Sequence, residues 1–309
     1  MRRYNSYGAW LRKKFGNRVQ KITVDGGFTC PNRDGKVAWG GCTYCNNDSF
    51  RGWGTTPKKN IEEQVQEGID YLVRRFKAEK FLIYWQNFSN TYAPVDQLKA
   101  MYSRALRSDS RIVGMTIGTR SDCVDSSVLK MVSDFGKDYY VCMEYGLESI
   151  FDSTLLKINR GHDFRNYLEA VKLTRKFGLD ICSHVILGFP WETRSDLLEY
   201  PGVINRLSVD FLKVHHLHVV KGTRMAKEFQ DRPFRVFQCR EWVELVCDIL
   251  ERLNPEIVIQ RLFGWTPESA VIAPNWNRTR AEILLDIERE LKKRNSWQGR
   301  KFQFAQPTS

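Results

Sequence analysis

"KITVDGGFTCPNRDGKVAWGGCTYC", residues 21–45, runs from a short apolar alternation straight into a loop with three cysteines, Cys30, Cys42 and Cys45, spaced C-x11-C-x2-C. Disulfides join thiols in pairs, and structural zinc takes four ligands. No histidine occurs before His162, and the nearby carboxylates, Asp34 and Asp48, are poor structural zinc partners. An odd set of thiolates in one loop therefore points to a site with one position left open.

Around that loop the chain alternates strand-like and helix-like segments. "KITVDGG" (21–27) reads as the first strand. "NIEEQVQEGIDYLVRRFKAEK" (60–80) opens with Asn60 as an N-cap, has Glu63 three residues on, and sets Ile61, Val65, Ile69, Leu72, Val73 and Phe76 on one helical face. Strand patterns follow at 81–86, 111–119, 139–148, 179–189 and 210–220, with helices near 95–107, 126–135, 165–177 and 194–206 between them. Parallel neighbours need crossover connections, so six strands alternating with helices predict a parallel sheet. Six units fit an open, partial barrel, whose ligands sit at the C-terminal ends of the strands, where the cysteine loop follows strand one. The pattern changes near residue 222. "CREWVELVCDILERLN" (239–254) reads as an amphipathic helix, "EIVIQRLFG" and "PESAVIAP" as short strands or turns, and "RTRAEILLDIERELKKRN" (278–295) as a closing helix. The reading is a core over 1–221 and a small α/β extension over 222–309 that covers the barrel mouth.

A chain of 309 residues with 42% apolar composition is long enough for a sizeable core, which excludes a disordered chain. No window approaches the roughly 18 apolar residues of a membrane span, and "MRRYNSYGAWLRKKFG" lacks the apolar centre of a signal peptide. The expectation is a cytoplasmic protein with reduced thiols, in which Cys123, Cys142, Cys182, Cys239 and Cys247 are buried small hydrophobes. Net charge is +12, carried at the ends: residues 1–60 hold 12 Lys and Arg against 3 acids, and residues 271–309 hold 8 against 4. That placement suggests a face for a polyanion such as tRNA, the plainer reading being a generally basic surface. Tyr4, Tyr7, Trp10, Phe50 and Trp53 are candidates for stacking on bases or for packing in a core.

A four-iron cluster needs four ligands, so three cysteines leave one iron open to an external group. S-Adenosyl-L-methionine (SAM) fits that vacancy through its amino and carboxylate groups. Structural zinc stays the alternative, on condition of a fourth ligand.

The ordered set "VDGGFTCPNRDG", "GGCTYCN", "IGTRSDC", "EYGLES", "INRGHDF", "SHVILGFPWET" and "LKVHHLHVVKGTRMAK" resembles the radical S-adenosylmethionine superfamily. The resemblance is to its YhcC/YtqA-like branch, related to the catalytic subunit of Elongator. It implies an α/β partial (β/α)6 barrel and a 4Fe–4S cluster on Cys30, Cys42 and Cys45. It also implies SAM contacts. Tyr44 stands near the adenine, and Gln86 takes the place of a Gly-Gly-Glu motif that holds the methionine amino group. Thr119 ends strand three, where relatives carry a carboxylate. Glu148 and His184 approach the ribose, Arg160 pairs with the methionine carboxylate, and Leu217 and His218 offer backbone groups to adenine. Plainer readings are a surface salt bridge for Arg160, a helix cap for Glu148 and a core histidine for His184. Tyr84, Tyr92 and Cys142 are either hydrogen-atom relays or structural, and no residue is read as a general base.

The implied activity is reductive cleavage of SAM to a 5'-deoxyadenosyl radical that abstracts hydrogen from substrate, with a donor such as flavodoxin or ferredoxin supplying the electron. The implied substrate is tRNA, at the C5 side chain of the wobble uridine, in a carboxymethylaminomethyl to aminomethyl type of conversion. The chain leaves no room for Elongator's acetyltransferase domain. Alternatives are radical chemistry on a small molecule or protein, and a non-catalytic zinc or RNA-binding module.

Overall fold

The computed structural model of the chain describes residues 2–50 and 55–303. Helix α1 (Tyr7–Phe15) and strand β1 (Val19–Val24) precede the cysteine loop. Helix α2 (Ile61–Phe76) starts where the capping pattern puts it, since Asn60 accepts from the Glu63 N–H and Glu63 accepts from the Asn60 N–H. The alternation then continues through β2 (Lys80–Trp85), α3 (Val95–Arg107), β3 (Ile112–Thr119), α4 (Ser126–Phe135) and β4 (Tyr140–Glu148). It is completed by α5 (Asp152–Lys157), α6 (Phe164–Lys176), β5 (Asp180–Leu187), α7 (Arg194–Arg206) and β6 (Phe211–His216). Side-chain caps start α4, α6 and α7, at Asp125, Asp163 and Thr193.

Each strand pairs in parallel with the next, from Ile22 beside Ile83 to Val185 beside Val214. The result is the curled, partial barrel the alternation predicts. Alternate residues serve its two faces. Ile22, Ile83, Ile117, Met143, Ile181 and Val214 pack outward against the helices in the main core. Thr116, Cys142, Glu144, Cys182 and Lys213 take the other phase and line the inside.

Beyond β6 the expected strand over 210–220 divides. The Leu217 N–H reaches the Leu187 carbonyl at 2.9 Å, which ends the ladder, and β7 (Val219–Val220) turns away to pair antiparallel with a later strand, β9 (Val271–Ala273). Helices α8 (Arg224–Asp231) and α9 (Cys239–Arg252) lead to β8 (Val258–Arg261), and α10 (Arg280–Lys293) closes the fold. Strand β8 adds to β6 as a seventh parallel strand, so "EIVIQR" extends the barrel sheet itself.

Helix α1 forms within the basic, aromatic segment at the start of the sequence. It touches both edge strands, β1 and β8, and puts Tyr7, Trp10 and Phe15 against Leu82, Tyr140, Cys142, Cys182 and Phe211. The Trp10 ring lies 4.8 Å from Phe211 and 5.4 Å from Tyr140. These rings plug the N-terminal end of the barrel, and Tyr4 is buried in the main core, so Tyr4, Tyr7 and Trp10 all pack, Tyr4 and Tyr7 also bordering a cavity at the open edge of the sheet. Trp53 and the Phe50 side chain lie outside the described residues. Of the five scattered thiols, Cys142, Cys182 and Cys247 are buried, whereas Cys123 and Cys239 are only half-buried. No described helix is long and apolar enough to cross a membrane.

Candidate active site

The loop after β1 is clasped at the C-terminal end of the strands by the turn between α5 and α6. Asn159 donates through Nδ2 to the Gly41 carbonyl at 2.9 Å, the Thr43 N–H reaches the Ile158 carbonyl at 2.9 Å, and Asn32 Nδ2 reaches the Asn159 carbonyl at 2.5 Å. Gly161 makes this approach possible: φ is +79°, and a Cβ there would lie 2.6 Å from Asn32 Oδ1. On the loop's other side the Met225 N–H holds the Thr43 carbonyl at 2.9 Å, and Arg33 reaches the Cys45 carbonyl at 2.7 Å.

Inside this clasp sit three free thiols. Cys42 is buried and receives Asn32 Nδ2 at 3.6 Å and Arg160 Nη1 at 3.7 Å; Cys45 receives Asn47 Nδ2 at 3.5 Å. Burial pushes the Cys45 thiol up to about 11, with the Cys42 sulfur adding to it and Arg33 opposing. Cys30 is raised by burial too, against the pull of Arg120. The loop thus surrounds sulfur with N–H donors and guanidinium groups, as thiolates ligating a cluster require. A single zinc would draw its sulfurs to about 3.8 Å from one another, given bonds of about 2.3 Å. Among the described residues the ligand-type trio packed within 4.8 Å is elsewhere, at Glu144, Cys182 and His184.

Arg160, 5% exposed, ties the loop to β4. Its Nη2 donates to the Gly146 carbonyl at 2.5 Å and lies 3.6 Å from Glu148 Oε1, while its Nε is buried without a hydrogen-bond partner. Burial opposes the charge, but Glu148, Tyr44 and Cys42 outweigh it and hold the guanidinium firmly protonated. Gly146 is glycine for a visible reason: a Cβ there would lie 2.3 Å from Glu148 Oε1 and 2.8 Å from Arg160 Nη2. Glu148 sits at a break in the β4–β5 register with φ at +66°, a conformation costing a non-glycine residue roughly 1–2 kcal/mol, which aims its carboxylate at the mouth. Burial raises its pKa, with Arg160 and Tyr44 opposing. Tyr44 also packs on Phe189, their ring centroids 6.1 Å apart. Cys42, Cys45, Tyr44, Glu148 and Arg160 therefore form one constellation. Arg160 is an internal link, not a surface salt bridge.

His184 lies a layer deeper. Its Nε2 is 3.1 Å from Glu144 Oε2, and Glu144, fully buried, also meets Lys21 Nζ at 2.6 Å and Lys213 Nζ. Lys213 donates to the Tyr84 hydroxyl at 3.0 Å, and Lys21 to Gln260 Oε1 at 3.0 Å. Burial works against the Glu144 carboxylate, yet Lys21 and Lys213 win and keep it well below the usual range. Burial, with Lys213, pushes His184 down to about 4. Two lysines already neutralise Glu144, which disqualifies the Glu144–Cys182–His184 trio as a cation site. The layer carries two ammonium groups against one carboxylate, and Thr116 Oγ1, His215 Nε2 and Gln260 Nε2 are buried there without hydrogen-bond partners. Lys21 and Glu144 escaped sequence reading, because their meeting depends on the register through β1, β2, β3 and β4.

The remaining candidates are dispersed. Gln86 directly follows β2, where the strand ends crowd: a Cβ on Gly118 would lie 2.9 Å from the Trp85 carbonyl oxygen. Thr119 is buried with its Oγ1 2.7 Å from Thr91 Oγ1 and 3.4 Å from Ser89 Oγ, so its hydroxyl is engaged by the 89–91 loop. Leu217 is buried and its N–H is taken by Leu187. His218 contacts Thr266 Oγ1 at 2.8 Å through Nδ1 and His216 at 2.5 Å through Nε2. Cys142 belongs to the plugged end of the barrel, and Tyr92 lies under Lys36 at 5.1 Å.

Along nearly its whole length the chain is similar to known proteins. Residues 30–200 match the model of the Radical SAM superfamily and residues 209–293 that of the Radical SAM C-terminal domain. The chain is 37% identical to YtqA of Bacillus subtilis (strain 168), over 98% of this chain and 94% of that one. It is 26% identical to the tRNA uridine(34) acetyltransferase of Dehalococcoides mccartyi (strain CBDB1), over 51% of this chain and 34% of that one. Among solved structures, the Elp3 of Methanocaldococcus infernus superposes with a TM-score of 0.71 at 15% identity, covering 91% of this chain and 64% of that one.

Proposed function

This chain belongs to the radical SAM superfamily, and from that premise we propose that it modifies the C5 side chain of the wobble uridine in tRNA. As a member of that superfamily it works with a 4Fe–4S cluster and SAM. The donor set fits both: three thiols in one clasped loop, one too few to close a cluster, and beside them a buried guanidinium whose Nε has no partner. Together, the reduced cluster and SAM supply a 5'-deoxyadenosyl radical, a one-electron chemistry that abstracts hydrogen from carbon.

In this reading Cys30, Cys42 and Cys45 hold the cluster, and Arg160 meets the methionine carboxylate with a planar fork that lysine lacks. Glu148 and Tyr44 orient the nucleoside end. His184 stays neutral at physiological pH and donates or accepts beside Glu144 without adding charge. The plugged lower end and the apolar outer face keep water from reaching the mouth through the sheet, which protects a radical reaction from side chemistry.

The substrate reading is supported by the likeness to a tRNA uridine(34) enzyme and by the basic ends of the chain. The excess ammonium charge inside the barrel also suits a substrate that carries a carboxylate, as a carboxymethylaminomethyl group does, so its conversion to aminomethyl is the form of reaction we favour. The observation that carries the proposal is the three-thiol loop with Arg160 on Cys42. Its test has two parts. After anaerobic iron and sulfide reconstitution, the wild-type protein should bind about four irons, whereas Cys30→Ala, Cys42→Ala and Cys45→Ala should each lose the brown cluster absorbance. Mass spectrometry of nucleosides from a strain lacking the gene should then show the carboxymethylaminomethyl form accumulating; unchanged uridines would sink the tRNA reading and leave the radical chemistry standing.

A further inference from the structure

The chain's basic ends meet in space. A cavity of about 220 Å³ at the open edge of the barrel is lined by Arg2 from the N-terminus, Arg261 at the end of β8 and Arg280 at the start of α10, with Tyr4, Tyr7 and Trp265. No carboxylate lines it among the described residues. Glu288, the acid next to Tyr4, accepts the Arg3 N–H at 3.2 Å. Several arginines elsewhere on the surface are paired with acids: Arg104 with Glu62 at 2.7 Å, Arg111 with Asp109 at 2.8 Å, Arg294 with Asp248 at 2.8 Å. Here Arg2, Arg261 and Arg280 instead border one cavity, and Arg280 loses some of its proton affinity to burial and to Arg261.

We propose that this cavity binds a phosphodiester of RNA, with Arg2, Arg261 and Arg280 as its cations and Trp265 as a stacking face for an adjoining base. The inference rests on the tRNA reading above and assigns its docking site. Guanidinium forks match phosphate oxygens bidentately, and the positive charge needs an anion that the protein does not provide. The indole separates RNA from an acidic protein partner. Trp265 is 50% exposed and lies under Arg280 at 4.3 Å, the pairing of cation and aromatic face on which unpaired bases stack. The site also adjoins the C-terminal end of the sheet. Trp265, Arg280 and Phe263 are shared with a neighbouring cavity of about 530 Å³ that reaches His216 and His218 at the C-terminal end of β6.

Fluorescence anisotropy with a labelled tRNA, across a salt series, tests it. Arg261→Ala and Arg280→Ala should each weaken binding several-fold and lower the steepness of log K against log salt by about 0.7 to 0.9 for each phosphate left without its cation. Arg2→Ala should do the same, with thermal unfolding of the same sample to show that the loss of its contact with Tyr4 leaves the fold intact. Trp265→Ala should weaken binding roughly 5-fold or more with the salt slope unchanged, and Trp265→Phe should restore part of it. Arg104→Ala, an arginine of another face, sets the background. Variants indistinguishable from Arg104→Ala while the wild type binds tRNA would overturn the site and spare the function. A wild type with no salt-dependent tRNA binding would overturn both. Loss of binding to an acidic flavodoxin with tRNA binding intact would assign the cavity to a protein and refute the RNA proposal.

Discussion

Arg160 Nη1 lies 3.7 Å from the sulfur of Cys42, across 118 residues of sequence. The contact joins the cysteine loop after β1 to the turn between α5 and α6, and Arg160 continues to the Gly146 carbonyl and Glu148 on β4. One buried guanidinium therefore couples the cysteine loop to the C-terminal end of β4.

Replacing this group should separate SAM binding from cluster assembly. Arg160→Met should keep its iron after reconstitution, because the three thiols remain, yet lose about 10-fold or more in SAM affinity, the worth of a charged hydrogen bond of about 1.5–3 kcal/mol. Arg160→Lys should recover little, since an ammonium cannot span sulfur, carbonyl and carboxylate together. Equilibrium dialysis of SAM beside iron quantification checks both. Unaltered SAM affinity in Arg160→Met would reduce the arginine to a structural tie.

The buried layer beneath predicts a pH dependence of stability. His184 has its pKa lowered to about 4, whereas in the unfolded chain it titrates near 6.5. Above about pH 6.5 neither state takes a proton there, so the full contribution is present; as pH falls toward 4 the unfolded chain binds a proton that the folded one refuses. Stability should fall by up to about 1.4 kcal/mol per pH unit from this group. Glu144, depressed by Lys21 and Lys213, adds its own loss only at lower pH, as the solution passes below the unfolded carboxylate value near 4.3. Urea unfolding from pH 7.5 to 4.5 should show a shallower slope in His184→Gln. Glu144→Gln should cost about 3–5 kcal/mol at pH 7, because two buried ammonium groups lose their counter-charge. Parallel pH profiles for wild type and His184→Gln would contradict the assignment.

The extent to which sequence foretold this arrangement follows from the range of the forces involved. Periodicity and capping are local, which is why α3, α4 and α7 fall on their expected bounds and the Asn60–Glu63 box forms. The three thiols were legible because their spacing is itself the signal. Pairing across strands is not local. Nothing near Lys21 in sequence announces Glu144, and only the register of seven parallel strands brings them to 2.6 Å. Thr119 was similarly opaque, since the hydroxyls that occupy it come from the 89–91 loop. The seventh strand was hidden for another reason: four residues, Val258–Arg261, give too few alternations to separate a strand from a turn.

Helix α1 supplies the sharpest distinction between packing and recognition. Trp10 stacks on Tyr7 at 5.6 Å and meets Phe211 edge-on at 4.8 Å, while Lys14 lies over its ring at 5.1 Å. These rings close the N-terminal end of the barrel, at the opposite end of the strands from the cysteine loop. Trp10→Ala should therefore destabilise the protein by about 3 kcal/mol, because it removes buried apolar area and leaves a cavity between the edge strands. It should leave the tRNA affinity of the folded protein within about two-fold, because the ring is spent on the core. Thermal unfolding and tRNA anisotropy on the same sample check the pair. A full-strength fold with weakened tRNA binding would return Trp10 to the nucleic-acid face, and the basic residues beside it, Arg12, Lys13 and Lys14, would then belong to the same surface.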